Sequence, residues 1–273
     1  LGIPAKCPDG RVLYMFGDTF SNGVGNGNWR SPVQLWSNTS NLASGITFNG
    51  AYGGATAEQL WWYDHNNSQT TTVIPADVIN VDGVLYLWAM VQAGFGNTNW
   101  CEIWKSTDSG QTWTHTGAKF DGGLWNQYFQ CITADVGTDG FVYFFGTSFR
   151  RDRGMILARV PKDQITNPNA YVPWGYANGA WGWGNFPTPI LQGKFGETSL
   201  RRIGNKWVWT GLRLDGTIRI GAMVFDSPTS NLVTTPYQDI ALIGNWGAES
   251  NTRIAQPYGG YIVPGSTVSD LHL

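Results

Sequence analysis

Charge is scarce in this chain. Asp, Glu, Lys and Arg make up 13% of its residues, about half the usual share, and the formal net charge is −2. That balance supplies no basic field for nucleic acid and no reason to expect an anionic substrate. Scarce charge also argues against disorder, because the aromatic area of 15 Trp, 11 Tyr and 13 Phe must be buried somewhere. Cysteine is limited to Cys7, Cys101 and Cys131. The count is odd and the spacing is not that of a metal site, so at most one disulfide can form and a thiol is left over. Cys101, within Trp-Cys-Glu-Ile-Trp, reads as a buried reduced thiol. His65, His115 and His272 are scattered, with no partner spacing. No metal and no cofactor is expected. No apolar run approaches the length of a membrane span. No serine sits in a nucleophile elbow. Residues 23–27 are glycine-rich but lack the Lys and the helix of a phosphate loop.

What the chain has is glycine, tryptophan and a recurring opening. A turn residue at Gly10, Gly83, Gly140, Asn205 or Gly260 leads into a short apolar and aromatic run at 12–16, 84–88, 141–145, 206–210 or 261–263. Each run is apolar for several residues, as in a strand covered on both faces. Most are followed by a polar loop and a second run, at 32–37, 101–106, 155–160 and 218–225. Units of several short strands at this spacing predict an all-β fold, a five-bladed β-propeller whose last blade is incomplete. The prediction is one propeller domain over 1–273, cut from a longer chain, since it starts at Leu1-Gly2 and stops inside an expected strand at 270–273.

Ser106-Thr107-Asp108-Ser109-Gly110-Gln111-Thr112-Trp113 is an Asp box, a hairpin turn common in propellers. Asp caps the turn, Gly takes a positive φ and Trp packs beneath, so Asp108 is structural. Residues 161–166 predict one helical turn. Residues 171–189, rich in Trp, Gly, Asn and Pro, read as a long ordered loop.

The first and third openings differ at one informative place. Tyr14-Met15-Phe16-Gly17-Asp18-Thr19-Phe20 aligns with Tyr143-Phe144-Phe145-Gly146-Thr147-Ser148-Phe149, so Asp18 stands where the scaffold accepts Thr147. A carboxylate that the repeat does not require is a candidate catalyst. Glycoside hydrolysis needs two carboxylates, an acid and a base or nucleophile. Glu197 in Gly-Glu-Thr-Ser-Leu-Arg is the second candidate, with Arg201 close in sequence to hold it ionised or to orient a sugar hydroxyl. Glu249, Glu102 and Glu58 are weaker candidates, and Glu249 is assigned to substrate binding. Trp29, Arg30, Trp181 and Trp183 complete the binding set, because indole faces stack on the C–H faces of neutral sugars.

Leu1-Gly2-Ile3, Phe16-Gly17-Asp18-Thr19-Phe20, Trp29-Arg30-Ser31, Gly196-Glu197-Thr198-Ser199 and Tyr258-Gly259-Gly260-Tyr261-Ile262-Val263-Pro264 occur in this order. In this the chain resembles a former domain of unknown function that now includes the endo-D-arabinanases of actinobacteria, their phages and some gut bacteria. The resemblance implies a five-bladed propeller that cuts internal α-D-arabinofuranosyl linkages of arabinogalactan and lipoarabinomannan. It implies that Asp18 is one of two catalytic aspartates. The other belongs to a Thr-Asp-Leu-Gly element whose Asp position falls before Leu1, and Glu197 then supports substrate binding. The expected partner is neutral polysaccharide, with other domains or subunits of a larger assembly. The expected location is extracellular, or the virion if phage-encoded. Two rivals stand beside this reading. One is a non-catalytic carbohydrate-binding propeller of a phage tail or surface assembly. The other is a sialidase-like enzyme, which requires an arginine cluster and a Tyr nucleophile not evident here.

Overall fold

The computed structural model describes residues 2–273. They form two compact units. The first runs to Gly122 and includes Val263–Gly265 and His272; the second is Gly123–Ile262 with Ser266–Leu271 and Leu273.

In the first unit, one sheet contains β1 (Ile3–Lys6), β2 (Val12–Phe16), β5 (Val33–Ser37) and β6 (Phe48–Ala51) in that order, while β3 (Thr19–Phe20) and β4 (Trp29–Arg30) form a separate two-stranded ribbon. The other sheet is the meander β7 (Thr72–Val81), β8 (Val84–Gln92), β9 (Thr98–Ser106) and β10 (Thr114–Asp121). β7 and β8 are buried along nearly their whole length, including Asp77 within the otherwise mostly apolar β7. β10 alternates towards its end, with Ala118 and Phe120 inside and Lys119 and Asp121 outside, as a half-covered strand does. Asp82 and Gly83, both at positive φ, close the β7–β8 hairpin, the residue pair favoured by the tight turn that matches strand twist.

In the second unit, β11 (Cys131–Val136), β12 (Phe141–Thr147), β13 (Ile156–Pro161), β14 (Val172–Ala177) and β15 (Ala180–Trp183) form one meander. The other comprises β16 (Phe195–Ile203), β17 (Lys206–Arg213), β18 (Arg219–Phe225), β19 (Tyr237–Gly244) and β20 (Arg253–Ala255), with β20 parallel to β19. Phe145, Leu157, Phe195, Leu200 and Trp209, all fully buried, share one apolar core.

The fold is all-β with a propeller arrangement, but among the described residues there are four blade-like sheets rather than five. The fifth opening is the reason. Tyr261, Ile262 and Val263 are buried as their composition predicts, yet they belong to no sheet. Ile262 N–H donates to the Ser199 side-chain hydroxyl on β16 at 3.2 Å, not to a backbone carbonyl of that strand. An apolar run marks burial; a strand also requires a ladder partner.

The segment 171–189 contains a hairpin instead of a continuous loop. Asn178 and Gly179 both adopt positive φ, and Trp174, Tyr176, Trp181 and Trp183 pair across it. The Asn-Gly pair was the available signal. The residues expected to make a helical turn at 161–166 form hydrogen-bonded turns, and a short 3-10 turn follows at Pro168–Ala170.

The Asp box folds as its sequence requires. Asp108 accepts from Thr112 N–H at 2.9 Å and from the Ser106 hydroxyl at 2.7 Å. Trp113 donates to Gln34 at 2.9 Å, which ties this hairpin to β5. Asp108 is thus consumed by structure.

Among the described residues no cysteine forms a disulfide, and all three are buried. Burial pushes the Cys7 thiol up to about 11 and raises Cys101 further, aided there by the Glu102 charge. A thiol held neutral and out of solvent reacts poorly. The native protein should therefore leave Ellman's reagent unreacted near neutral pH, and all 3 cysteines should titrate after unfolding in denaturant. Rapid colour from the native protein would contradict this burial.

Candidate functional site

Asp18 is built by the end of β2 and the ribbon that follows. After Phe16 the chain bends at Gly17-Asp18, and Thr19 and Phe20 pair with Arg30 and Trp29. This pairing folds back the Gly/Asn loop 21–28 and returns the Trp29 indole to Asp18. Trp29 Nε1 donates to Asp18 Oδ1 at 2.8 Å, and the Thr72 hydroxyl, at the start of β7, donates to the same oxygen at 2.5 Å. Asp18 is exposed, and its Oδ2 makes no hydrogen bond among the described residues. One oxygen is held, and the residue as a whole is open to solvent.

The donors are themselves held. The Trp29 ring stacks on His65 with centroids 4.2 Å apart and lies near Phe20 at 5.8 Å. His65 Nδ1 lies 2.8 Å from the Thr71 carbonyl and Nε2 lies 3.0 Å from Gln59 Oε1. The Gln59 amide is oriented by Ser31 N–H, which donates to its oxygen at 3.1 Å, and by the Trp61 carbonyl, which accepts from its nitrogen at 2.9 Å. Tyr63 donates to the Ser31 carbonyl and accepts from Val73 N–H at 3.1 Å. Burial pushes the Tyr63 hydroxyl up to about 12, so it remains a donor across the working pH range. Trp29 was expected to be a sugar platform; its observed contacts make it the donor that orients Asp18. Arg30 reaches the Ala57 carbonyl.

Glu197 has a different environment, within the second unit. It lies near the start of β16 with its side chain only 3% exposed. Arg151 grips it through Nε at 3.1 Å and Nη2 at 2.6 Å, and the Tyr258 hydroxyl donates at 2.8 Å. The guanidinium also sits over the Tyr258 ring, 4.9 Å from its centroid. Burial alone would lower the Arg151 pKa, but the Glu197 hydrogen bonds and charge outweigh it and raise the net value. Burial, then the Glu197 charge, hold Tyr258 in its protonated form. Gly196 leaves the room required: a Cβ there would stand 3.0 Å from Arg151 Cδ. A carboxylate so enclosed orients its neighbours and is poorly placed to reach a substrate.

Arg201, expected beside Glu197, donates instead to the Ala134 and Leu200 carbonyls at 3.0 and 2.8 Å. Four residues along an extended strand separate the two Cα atoms by about 13 Å, and side chains that stand off the strand in parallel do not converge over that span. The actual partner, Arg151, comes from the connection after β12, and no sequence signal pointed to it. Trp183 packs against Trp174 at 4.9 Å beneath the Arg159 guanidinium, whereas Trp181 is 42% exposed. Glu249 is exposed in the connection between β19 and β20. The structure thus gathers Trp29, Thr72 and His65 around Asp18, and Arg151 and Tyr258 around Glu197.

An all-β chain of propeller type, with an oriented and open carboxylate beyond a strand end, is the class that fold and site define. The chain belongs to the family described as Domain of unknown function (DUF4185), whose profile matches residues 1–273. It is 31% identical over 290 residues to Notoamide biosynthesis cluster protein J' of Aspergillus versicolor, covering 98% of this chain and 76% of the relative. Two solved structures share the fold. One is a protein of Bacteroides ovatus provisionally termed a hydrolase, with TM-score 0.65 and 12% identity over 97% of this chain and 75% of the other. The second is the arabinanase Arb43A of Bacillus subtilis, with TM-score 0.55 and 15% identity over 97% of this chain and 87% of the other.

Arg151→Ala leaves Glu197 buried without its counter-charge. It should lower the unfolding free energy by about 3–5 kcal/mol, as loss of one partner of a buried ion pair does. Urea unfolding followed by tryptophan fluorescence measures this; an unchanged midpoint would show that the cluster carries no stability.

Proposed function

We propose that this protein is a glycoside hydrolase that cleaves internal α-D-arabinofuranosyl linkages of mycobacterial-type cell-wall arabinan, outside the producing cell or on a virion. The observation that carries the reading is the state of Asp18, with Oδ1 fixed by Trp29 and Thr72 and Oδ2 without a hydrogen bond among the described residues. A general acid must present one oxygen to the leaving group in a constant direction. Asp18 Oδ2 protonates the glycosidic oxygen as the bond to the anomeric carbon breaks. A partner carboxylate then attacks that carbon or activates the water that does. The resemblance implies that the partner is a second aspartate, and Glu197 serves as a buried support for Arg151 and Tyr258. The low charge of the chain suits a neutral polymer, and the fold shared with the Bacillus subtilis arabinanase is consistent with furanose chemistry.

Asp18→Asn should reduce the release of reducing ends from D-arabinan by about 10²–10⁴-fold. Undiminished cleavage would remove Asp18 from the mechanism. Arabinan binding without any cleavage by the unsubstituted protein would instead identify a carbohydrate-binding propeller. Trp29→Phe keeps a ring against His65 but removes the indole N–H. It should lower turnover by about ten- to hundredfold through misorientation of Asp18, measured in the same assay, with full turnover excluding the positioning role.

A further inference from the structure

We infer that a pocket on the second sheet of the first unit is a remote subsite for the glycan chain, several sugar residues from the bond at Asp18. The inference rests on the reading of a neutral glycan substrate. The pocket has a volume of about 530 Å³ and is lined by Gln69, Asn99, Trp100, Lys119 and Asp121. That volume lies within the range of small-molecule sites.

Its walls follow from strand register. Asp121 pairs with Trp100 and Lys119 with Glu102 across β9 and β10, so these four side chains share one face. Trp100 is fixed on that face: its indole N–H donates to Glu102 Oε2 at 2.8 Å. The other oxygen of Glu102 accepts from Trp104 at 2.8 Å. Glu102, one of the weaker carboxylate candidates, is buried at 9% exposure and clamps both indoles. The Lys119 ammonium stands 3.5 Å from the Trp100 ring centroid, and Asn99 donates to Gln69 Oε1 at 3.0 Å, closing the loop over the strand. Lys119 and Asp121 carry opposite charges on one face of the strand, so the lining has no net charge. Amide, carboxylate and ammonium groups beside an aromatic ring match a neutral polyhydroxyl ligand.

The position is as informative as the lining. Val73 pairs with Val91, Val91 with Trp100 and Trp100 with Asp121, one row across the sheet. Val73 follows Thr72, whose hydroxyl holds Asp18. Neighbouring strands lie about 4.8 Å apart, so β9 and β10 are about 10 and 15 Å from β7 at this edge. The same connection serves both places: His65 stacks on Trp29, and Gln69, four residues later, lines the pocket. Thr72 and the row from Val73 to Trp100 face opposite sides of the sheet, so a polymer bound at Asp18 reaches Trp100 by passing over this edge.

The test measures binding of short and long D-arabino-oligosaccharides to the Asp18→Asn protein by isothermal titration calorimetry. The long oligomer should bind about tenfold more tightly than the disaccharide. Asn99→Ala with Asp121→Ala should abolish that length preference, and Lys119→Ala, a second variant in case the first misfolds, should reduce it. A preference unaltered in folded variants overturns the subsite, and so does the absence of binding by any oligomer. Failure of the hydrolase reading appears separately, as absence of reducing ends from the unsubstituted protein. In that event a length preference lost on substitution still supports a glycan site.

Discussion

A carboxylate can be held without being enclosed, and Asp18 is: among the described residues both of its hydrogen bonds fall on one oxygen. The Thr72 hydroxyl comes from the first residue of β7, and the Trp29 indole comes from a two-stranded ribbon stabilised by the stack on His65. Neither donor covers the second oxygen. The connection carrying Gln59, Tyr63 and His65 maintains this arrangement through a chain of oriented hydrogen bonds, each partner fixing the next.

The contrast with two other carboxylates clarifies the point. Glu197 is bound by a guanidinium and a phenol, and Glu102 by two indoles. Both are buried and both organise side chains around themselves. Burial of a charged group is costly unless each oxygen is satisfied, so these sites are closed by construction. Asp18, Glu197 and Glu102 differ little in intrinsic chemistry; their surroundings divide them into one open group and two supports.

Family membership sets a frame wider than one substrate. The Aspergillus versicolor relative takes its name from a biosynthetic cluster, whereas the Bacillus subtilis neighbour in fold is an arabinanase. A fold hosts many chemistries, and the site distinguishes among them. The proposed substrate rests on the open oxygen of Asp18, the low charge and the polar pocket beside Trp100.

Much of the architecture was legible because its causes are local. Apolar runs after a turn residue marked β2, β8, β12 and β17, and the Asp box identified the β9–β10 hairpin. The Asn178-Gly179 turn was equally local but was hidden by the unusual Trp content around it. The run at 261–263 was misread because burial and strand pairing give the same composition; only a partner strand separates them. Asp18 stood out as a carboxylate where the repeat tolerates threonine. Its partner Thr72 lies 54 residues away, and Arg151 lies 46 residues from Glu197. Such pairs are made by connections whose paths no periodicity encodes. By itself, the sequence determined that the chain is a β meander rich in aromatics and which acid is exceptional. The tertiary structure decided which carboxylates are open and which are clamped, because burial and hydrogen-bond direction exist only once distant segments meet.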